Sequence, residues 1–466
     1  NNVTFANAVG TTGGTAGTLA KGGTGSLTLN AGAVHTGGTT LSAGTLNIGN
    51  AAALGTGTFT ISGASTIDNT TGSPLTLAGN PAMAWNANFT FAGTNDLNLG
   101  TGNVTLNAAR TVTVTAGTLT VGGVIDDGAS NFAFTKAGAG TLYLKGANTF
   151  GSNSAFTIQG GTVIVDSAAG FGDATNDIIF TTGPGTLRFT DNATFGNGQY
   201  FRATGVAATI EVDNGKLVDI QGGPTSSATN GVNTNGGTNG PGASIIKTGL
   251  GTLRISGGNG FFDGDGGWVV SQGTLSIAGN NNTVLGDATP TTVALRLNGG
   301  TVSYDTDTTN IVNSVINTFL QADSTVVSNV ASAGGGINQS LNALTVQGNY
   351  TLNVNGGDNV TSGTAGIITS ATTLNGNATF NIADPVNGGN TLLTLGATTG
   401  GANAITLNGN GDFAQSGAYS SSSATALTLG STYSGVATLS QANTYSGITA
   451  INGGTLSFAA SNNLGD

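Results

Sequence analysis

A catalytic reading of this chain has few side chains to draw on. The 466 residues hold one histidine, no cysteine, ten lysines and arginines and 21 acidic residues. A Ser-His-Asp triad or a histidine metal site would have to pass through His35. One such residue is a weak motif, and His35 reads as a surface or turn residue. Without cysteine there is no thiolate nucleophile, thiolate metal site or structural disulfide. Asp263-Gly264-Asp265-Gly266 has the oxygen-rich, glycine-bent character of a calcium turn. No Glu completes an EF-hand loop there, and the nonapeptide Gly-Gly-x-Gly-x-Asp is not repeated. Asp126-Asp127, Asp305 with Asp307, and Asp173 with Asp177 could supply a glycosidase acid and base. Each sits beside turn-forming residues, and plain Asp turns are the favoured reading. A solenoid lyase would gather carboxylates and a base on one face, whereas Arg188, Arg202, Arg254 and Arg296 are scattered, with Arg188 and Arg254 on strands. Trp85, Trp268, Tyr143 and Tyr200 could stack on sugars but read as buried or capping aromatics. The runs Gly13-Gly14 and Gly22-Gly23-Thr24-Gly25 lack the Gly-Lys-Ser/Thr ending of a phosphate loop. The expectation is a non-enzyme with no catalytic, cofactor-binding or metal-binding residues.

The elements that would carry any site are strands. Gly is 81 of 466 residues, about 17%, against a usual level of about 7%. Strong helix formers are scarce. Apolar residues alternate with small polar ones, as in Leu27-Thr28-Leu29, Val112-Thr113-Val114 and Leu119-Thr120-Val121. That is the period of a strand with one face buried. Only 7% of residues are charged, but 37% are apolar, enough to bury a core. The net charge of −11 leaves no electrostatic footprint for nucleic acid or a polybasic membrane contact. No apolar run is long enough for a transmembrane helix. Asn1 and Asp466 both fall in mid-pattern and read as cuts, so an export signal or anchor is expected outside this sequence.

Internal repeats organise the chain. Copies are visible at 19–55, 134–172, 245–286 and 435–466. The first three open with Lys21, Lys136 and Lys247, followed by a Gly-rich turn and a first strand. A second strand then begins at Gly44, Gly161, Gly273 and Gly454 and carries Leu46, Val163, Leu275 and Leu456 at matching positions. Leu54-Gly55, Phe171-Gly172, Leu285-Gly286 and Leu464-Gly465 close the units. Leu27 to Leu46, Leu142 to Val163, Leu253 to Leu275 and Leu439 to Leu456 are 19, 21, 22 and 17 residues apart, lengths that suit one coil of a solenoid. Lysines recurring in a chain this poor in charge read as solvated corners or edge charges against aggregation. The third unit carries extra residues, which fall in 331–423 and read as an irregular insertion. The copies and their weaker linking strands predict one continuous β-solenoid fragment over 1–466.

The pattern Lys-x-Gly-x-Gly-Thr-Leu-x-Leu-x-Gly-x-Asn-Thr-Tyr, then Gly-Gly-Thr-Leu, then Leu-Gly, resembles the autotransporter-associated β-strand repeat. Residues 136–150 follow it nearly throughout, including Asn148. Asn443-Thr444-Tyr445 follow its second half. The third copy departs from it at Gly260-Phe261-Phe262, and the fourth lacks the lysine. The resemblance implies an all-β, right-handed parallel β-helix made of imperfect repeats. It implies a large bacterial passenger at the cell surface, associated with the outer membrane in the full-length protein, and no catalytic residue. Expected partners are further copies of the chain, stacked end to end or side by side, or extracellular glycans. The expected function is structural, a rigid β-solenoid stalk, fibre or adhesin of the cell envelope that can assemble into filaments. The competing readings are a polysaccharide-active β-helix enzyme (a lyase or glycoside hydrolase) and a glycan- or ice-binding solenoid. The last would need Thr-x-Thr in every coil, and Thr111, Thr113 and Thr115 show it once.

Overall fold

The computed structural model describes residues 1–10, 16–196, 199, 201–221, 232–233, 244–257, 267–279, 284–285, 294–308 and 316–465. The chain is an all-β parallel β-solenoid. It divides into two compact units, Asn1–Lys216 and Leu217–Asp466.

In the first unit each coil lays short strands on successive faces. From Ser65 onward a coil visits three ladders in turn, as in Ser65–Asn69, Leu75–Thr76 and Met83–Trp85. Successive coils pair in parallel and in register. Leu27, Leu46, Ile67, Phe91 and Val114 form one inward column, so those coils are 19, 21, 24 and 23 residues long. All five side chains are buried. The residues between them point outward, which is why Thr is so frequent. Thr118, Thr141, Thr162, Thr186 and Thr209 are register partners on five successive coils. Their β-branched side chains suit the strand, and the hydroxyls form a file repeating at about 4.8 Å. Inside, Trp85, Phe134, Phe156, Phe171, Phe195 and Phe201 follow one another with ring centroids 4.8 to 6.3 Å apart. Ring pairs of this kind add about 0.5–1.5 kcal/mol each beyond their buried area.

The second unit stacks coils on two long ladders, with a short third one formed by Val360–Leu374, Ala397–Thr399 and Tyr419–Ser420. One contains Leu217–Ile220, Thr252–Ile255, Thr274–Ile277, Thr301–Asp305 and Ser324–Asn329, joined through parallel pairs. Residues 331–423 are wound into the same ladders through wider coils. Val326, Val354 and Ile382 are register partners, two steps of 28 residues. The added length enters strands Gly334–Val346 and Val360–Leu374, whose pairing shifts register at four places. Such bulges bend a strand without ending its ladder. A small satellite core of Val330, Val360 and Ala365, with Ile337 packed against it, fills the widened corner.

Candidate functional site: a buried lysine socket at the repeat corner

Lys21, Lys136 and Lys247 are not solvated corners: their exposures are 7%, 0% and 0%. Strand phase is the reason. Each lysine lies two residues after an apolar one, in Leu19-Ala20-Lys21, Phe134-Thr135-Lys136 and Ile245-Ile246-Lys247. Alternation therefore turns it inward. Lys136 stands between Val112 and Ile158 in an inward column. Lys21 is in register with Leu41, and Lys247 with Val270.

A buried ammonium needs acceptors, and the following corner provides them. Lys21 Nζ donates to the carbonyls of Gly22 (2.9 Å), Gly23 (2.8 Å) and Ala43 (2.8 Å). Lys136 Nζ donates to Gly138 (2.7 Å) and Gly160 (2.9 Å). Lys247 Nζ donates to Thr248 (2.6 Å), Gly249 (2.7 Å) and Gln272 (3.1 Å). The geometry is the same in all three. The lysine gathers carbonyls of its own turn and the carbonyl just before the motif glycine of the next coil. One side chain therefore clamps two coils.

The glycine is the other half of the clamp. Gly44, Gly161, Gly273 and Gly454 have φ of 71°, 64°, 60° and 64°, a region costly for residues with a Cβ. A Cβ on Gly161 would lie 2.4 Å from the Gly140 oxygen and 2.6 Å from that of Gly138; on Gly44 it would lie 2.6 Å from Lys21 Nζ. Gly161→Ala is therefore expected to cost about 2 kcal/mol, from φ strain and backbone displacement together. Loss of amide-exchange protection centred on 138–141 and 160–165 would show it, and unchanged protection there would contradict it.

After the glycine, Leu46, Val163 and Leu275 point inward, opposite Leu27, Leu142 and Leu253. The two halves of the repeat thus lie on adjacent coils. The fourth copy is shifted by two residues: Leu456 faces Ala437, and Leu439 faces Phe458. Tyr433 takes the lysine's place. It is buried, and its ring lies where a Cβ on Gly454 would fall, 2.5 Å from Tyr433 Cδ1.

A second clamp follows the first strand. Asn148 accepts from the Ile125 amide (2.8 Å) and donates to the Gly170 carbonyl (2.7 Å), tying three coils together. Asn443 does the same between the Tyr419 amide (2.8 Å) and the Asn463 carbonyl (2.6 Å). His35 is buried, 4% exposed, and so is not a surface residue. It occupies the position of Phe150 and Tyr445, against the closing glycine: Cβ atoms built on Gly55, Gly172 and Gly465 would strike His35, Phe150 and Tyr445 respectively. Thr39 donates its hydroxyl proton to the Leu54 carbonyl (3.0 Å), so the 2.9 Å contact to His35 Nε2 makes that nitrogen the donor. His35 thereby fills the corner.

The other chemical candidates are dispersed. Asp126 accepts from the Gly128 amide and the Thr149 hydroxyl, which hold its carboxyl below the usual range. Buried Asp127 accepts from the amides of Phe132 and Gly151. Asp173 closes a turn onto Thr175, and Asp177 pairs with Arg202 at 3.0 Å. Arg188 grips Asp213 through two bonds of 2.9 and 3.0 Å. Arg296 lies over the Phe319 ring. Asp307 accepts from the Ala331 amide, while Asp305 faces Ser303, Ser276 and Asn329. Trp85 and Trp268 are fully buried, and Tyr143 bonds Asp166 at 2.7 Å. Asp263-Gly264-Asp265-Gly266, Gly13-Gly14, Phe261, Phe262, Gly286 and Tyr200 lie outside the described residues. Among the described residues no three His, Asp or Glu side chains converge as metal ligands.

Comparison with known proteins adds one finding. Four segments, residues 19–48, 134–165, 245–277 and 432–458, match the family model of the Passenger-associated-transport-repeat. The first three contain the lysine and glycine of each clamp, and the fourth contains Tyr433 and Gly454. No curated protein and no solved structure matches the chain.

Proposed function

Since the chain carries passenger-associated-transport repeats, an autotransporter-associated family, we propose that it is part of a secreted bacterial surface passenger. Its role is a stiff, non-catalytic stalk or fibre. The carrying observation is where the repeat's most constrained residues lie. Lys136 and Gly161, like Lys21 with Gly44 and Lys247 with Gly273, are spent on joining one coil to the next. These residues serve the continuity of the ladder, which a stalk needs. An outer face of Thr, Ser and Asn with little charge suits multivalent weak contact with other surfaces or with further copies of the chain.

Electron microscopy of the purified chain over a range of concentrations tests this reading. Rods, or fibres one subunit wide, support it, and fibres add self-assembly to it. Compact globules at every concentration would sink it.

A further inference from the structure

The outer face of the second unit carries one feature that a stalk does not require. Two polar rows run side by side across successive coils: Thr252, Thr274 and Thr301, and, two residues along each strand, Arg254, Ser276 and Ser303. Beside them the chain near Ala331 and Asn359 forms the wall of a groove of about 330 Å³. Among the described residues its lining includes Arg254, Thr252, Thr274, Ser303, Asp305 and Asn359. That volume is at the lower end of the range for small-molecule sites, about 300–1,000 Å³.

Arg254 distinguishes the groove. Its Nε is buried and has no hydrogen-bond partner among the described residues. Arg188 and Arg202, by contrast, are each paired with a carboxylate. A desolvated, unsatisfied guanidinium nitrogen is costly, and the Arg254 side chain lines the groove, where a planar oxyanion can take two parallel bonds from a guanidinium. Neither nearby carboxylate fills this role: Asp219, the register partner of Arg254, already accepts from Gln221 at 3.0 Å and from Ser256 at 2.6 Å. Asp305 already accepts from Ser276, from Ser303 at 2.8 Å and from Asn329 at 2.9 Å. Asn359 is held in place by its side-chain bond to the Val330 carbonyl (2.9 Å).

We propose that this groove binds an acidic saccharide. The sugar carboxylate pairs with Arg254, and the ring hydroxyls bond the Thr252, Thr274 and Asn359 side chains. Arg254 is flanked by two carboxylates, its register partner Asp219 and the groove residue Asp305, and is the one cation of the groove's described lining, in a chain of net charge −11. The site therefore suits a ligand with one carboxylate among many hydroxyls, and a densely sulfated chain gains little there. The proposal rests on the surface reading only in taking the ligand to be extracellular. It is tested on the purified protein, so its failure leaves the stalk reading untouched.

The test is calorimetric titration with tri-galacturonate and with its fully methyl-esterified form, each up to about 10 mM, beyond which binding is too weak to matter. Tri-galacturonate is expected to bind, and the ester to bind at least about tenfold more weakly. Arg254→Gln should weaken tri-galacturonate at least about tenfold, Arg254→Lys should fall between, and Arg296→Gln should leave binding as in the parent. Circular dichroism on every variant confirms that the solenoid is intact. Equal affinity for acid and ester, no binding of the acid in that range, or an Arg254→Gln protein with parental affinity would each overturn the assignment.

Discussion

Lys136→Ala is expected to destabilise the first unit by about 4 kcal/mol, and Lys136→Met by about half of that. The two substitutions separate two losses. Both leave the Gly138 and Gly160 carbonyls without the donor they have at 2.7 and 2.9 Å, at about 1 kcal/mol each, because both carbonyls lie in half-buried corners that water can partly reach. Only Ala also opens a cavity between Val112 and Ile158, neighbours of Lys136 in its column, which adds about 2 kcal/mol. The counter-argument is that replacing a buried charge with an apolar side chain is often neutral or stabilising. It applies when the polar partners are removed as well, and here the carbonyls belong to the backbone and stay. The fourth copy shows what a substitute needs. There Tyr433 fills the socket, but the turn is also reshaped, with two residues from Tyr433 to Gly435 against four from Lys136 to Gly140. Because solenoid coils contact only their neighbours, the damage should be local. Exchange protection should fall at 138–141 and 160–165 and persist at Leu27, Leu46 and Ile67. A Lys136→Met protein with parental protection at the socket would show that the ammonium contributes nothing there.

The socket also shows what the sequence made legible. The solenoid could be read because the alternation of apolar and small polar residues and the glycine spacing are local signals that recur along the chain. The spacings Leu27 to Leu46, Leu142 to Val163 and Leu253 to Leu275 proved to be single register steps. Residue type alone misplaces the lysines, because strand phase decides which way they point. A cation in a chain with few charges suggests solvent, but its position two residues after Leu19, Phe134 and Ile245 put it in the core. Residue type alone likewise turns His35 outward, although its alignment with Phe150 and Tyr445 marks a filled corner. Asn148 and Asn443 were visible as motif residues, yet nothing local tells a buried amide that bridges three coils from an outward one. The groove was not legible at all. Arg254, Asp305 and Asn359 are far apart in the chain, and only coil lengths known to the residue bring them to one face. Asp305 was noticed beside Asp307, whereas its partners are Ser276, Ser303 and Asn329.

Above about pH 10, the ordinary tyrosine range, the second unit should unfold while the first holds. Burial raises the phenols of Tyr304, Tyr419, Tyr433 and Tyr445 above their usual value, Tyr419 to about 12. All four belong to Leu217–Asp466, whereas the first unit has one raised phenol among its described residues, Tyr143. Past pH 10 an unfolded chain sheds these protons while the folded one keeps them. The unfolded state then binds fewer protons, and stability falls as pH rises, until the folded phenols also ionise. Each group removes about 1.4 kcal/mol per pH unit in that window. While all four stay protonated in the folded chain they remove together at most about 6 kcal/mol per unit, comparable to the whole stability of an ordinary domain. Lys136 acts in the opposite sense in the first unit. Burial pushes its ammonium down to about 8. Between there and the unfolded value near 10.5, the unfolded chain binds more protons than the folded one, so stability rises with pH. Losing that proton does not break the clamp, because a neutral amine keeps two N–H donors for the two carbonyls, Gly138 and Gly160, that Lys136 serves. A titration from pH 9 to 12, followed by tyrosinate absorbance and by amide exchange in each unit, separates the outcomes. The tyrosinate of Tyr304, Tyr419, Tyr433 and Tyr445 should appear in one cooperative step as exchange protection is lost from the described strands of the second unit, with protection in the first unit's strands retained. Gradual tyrosine ionisation centred near pH 10 with full protection in both units would mean that these phenols reach solvent in the folded chain, and the packing of the second unit would have to be redrawn around them.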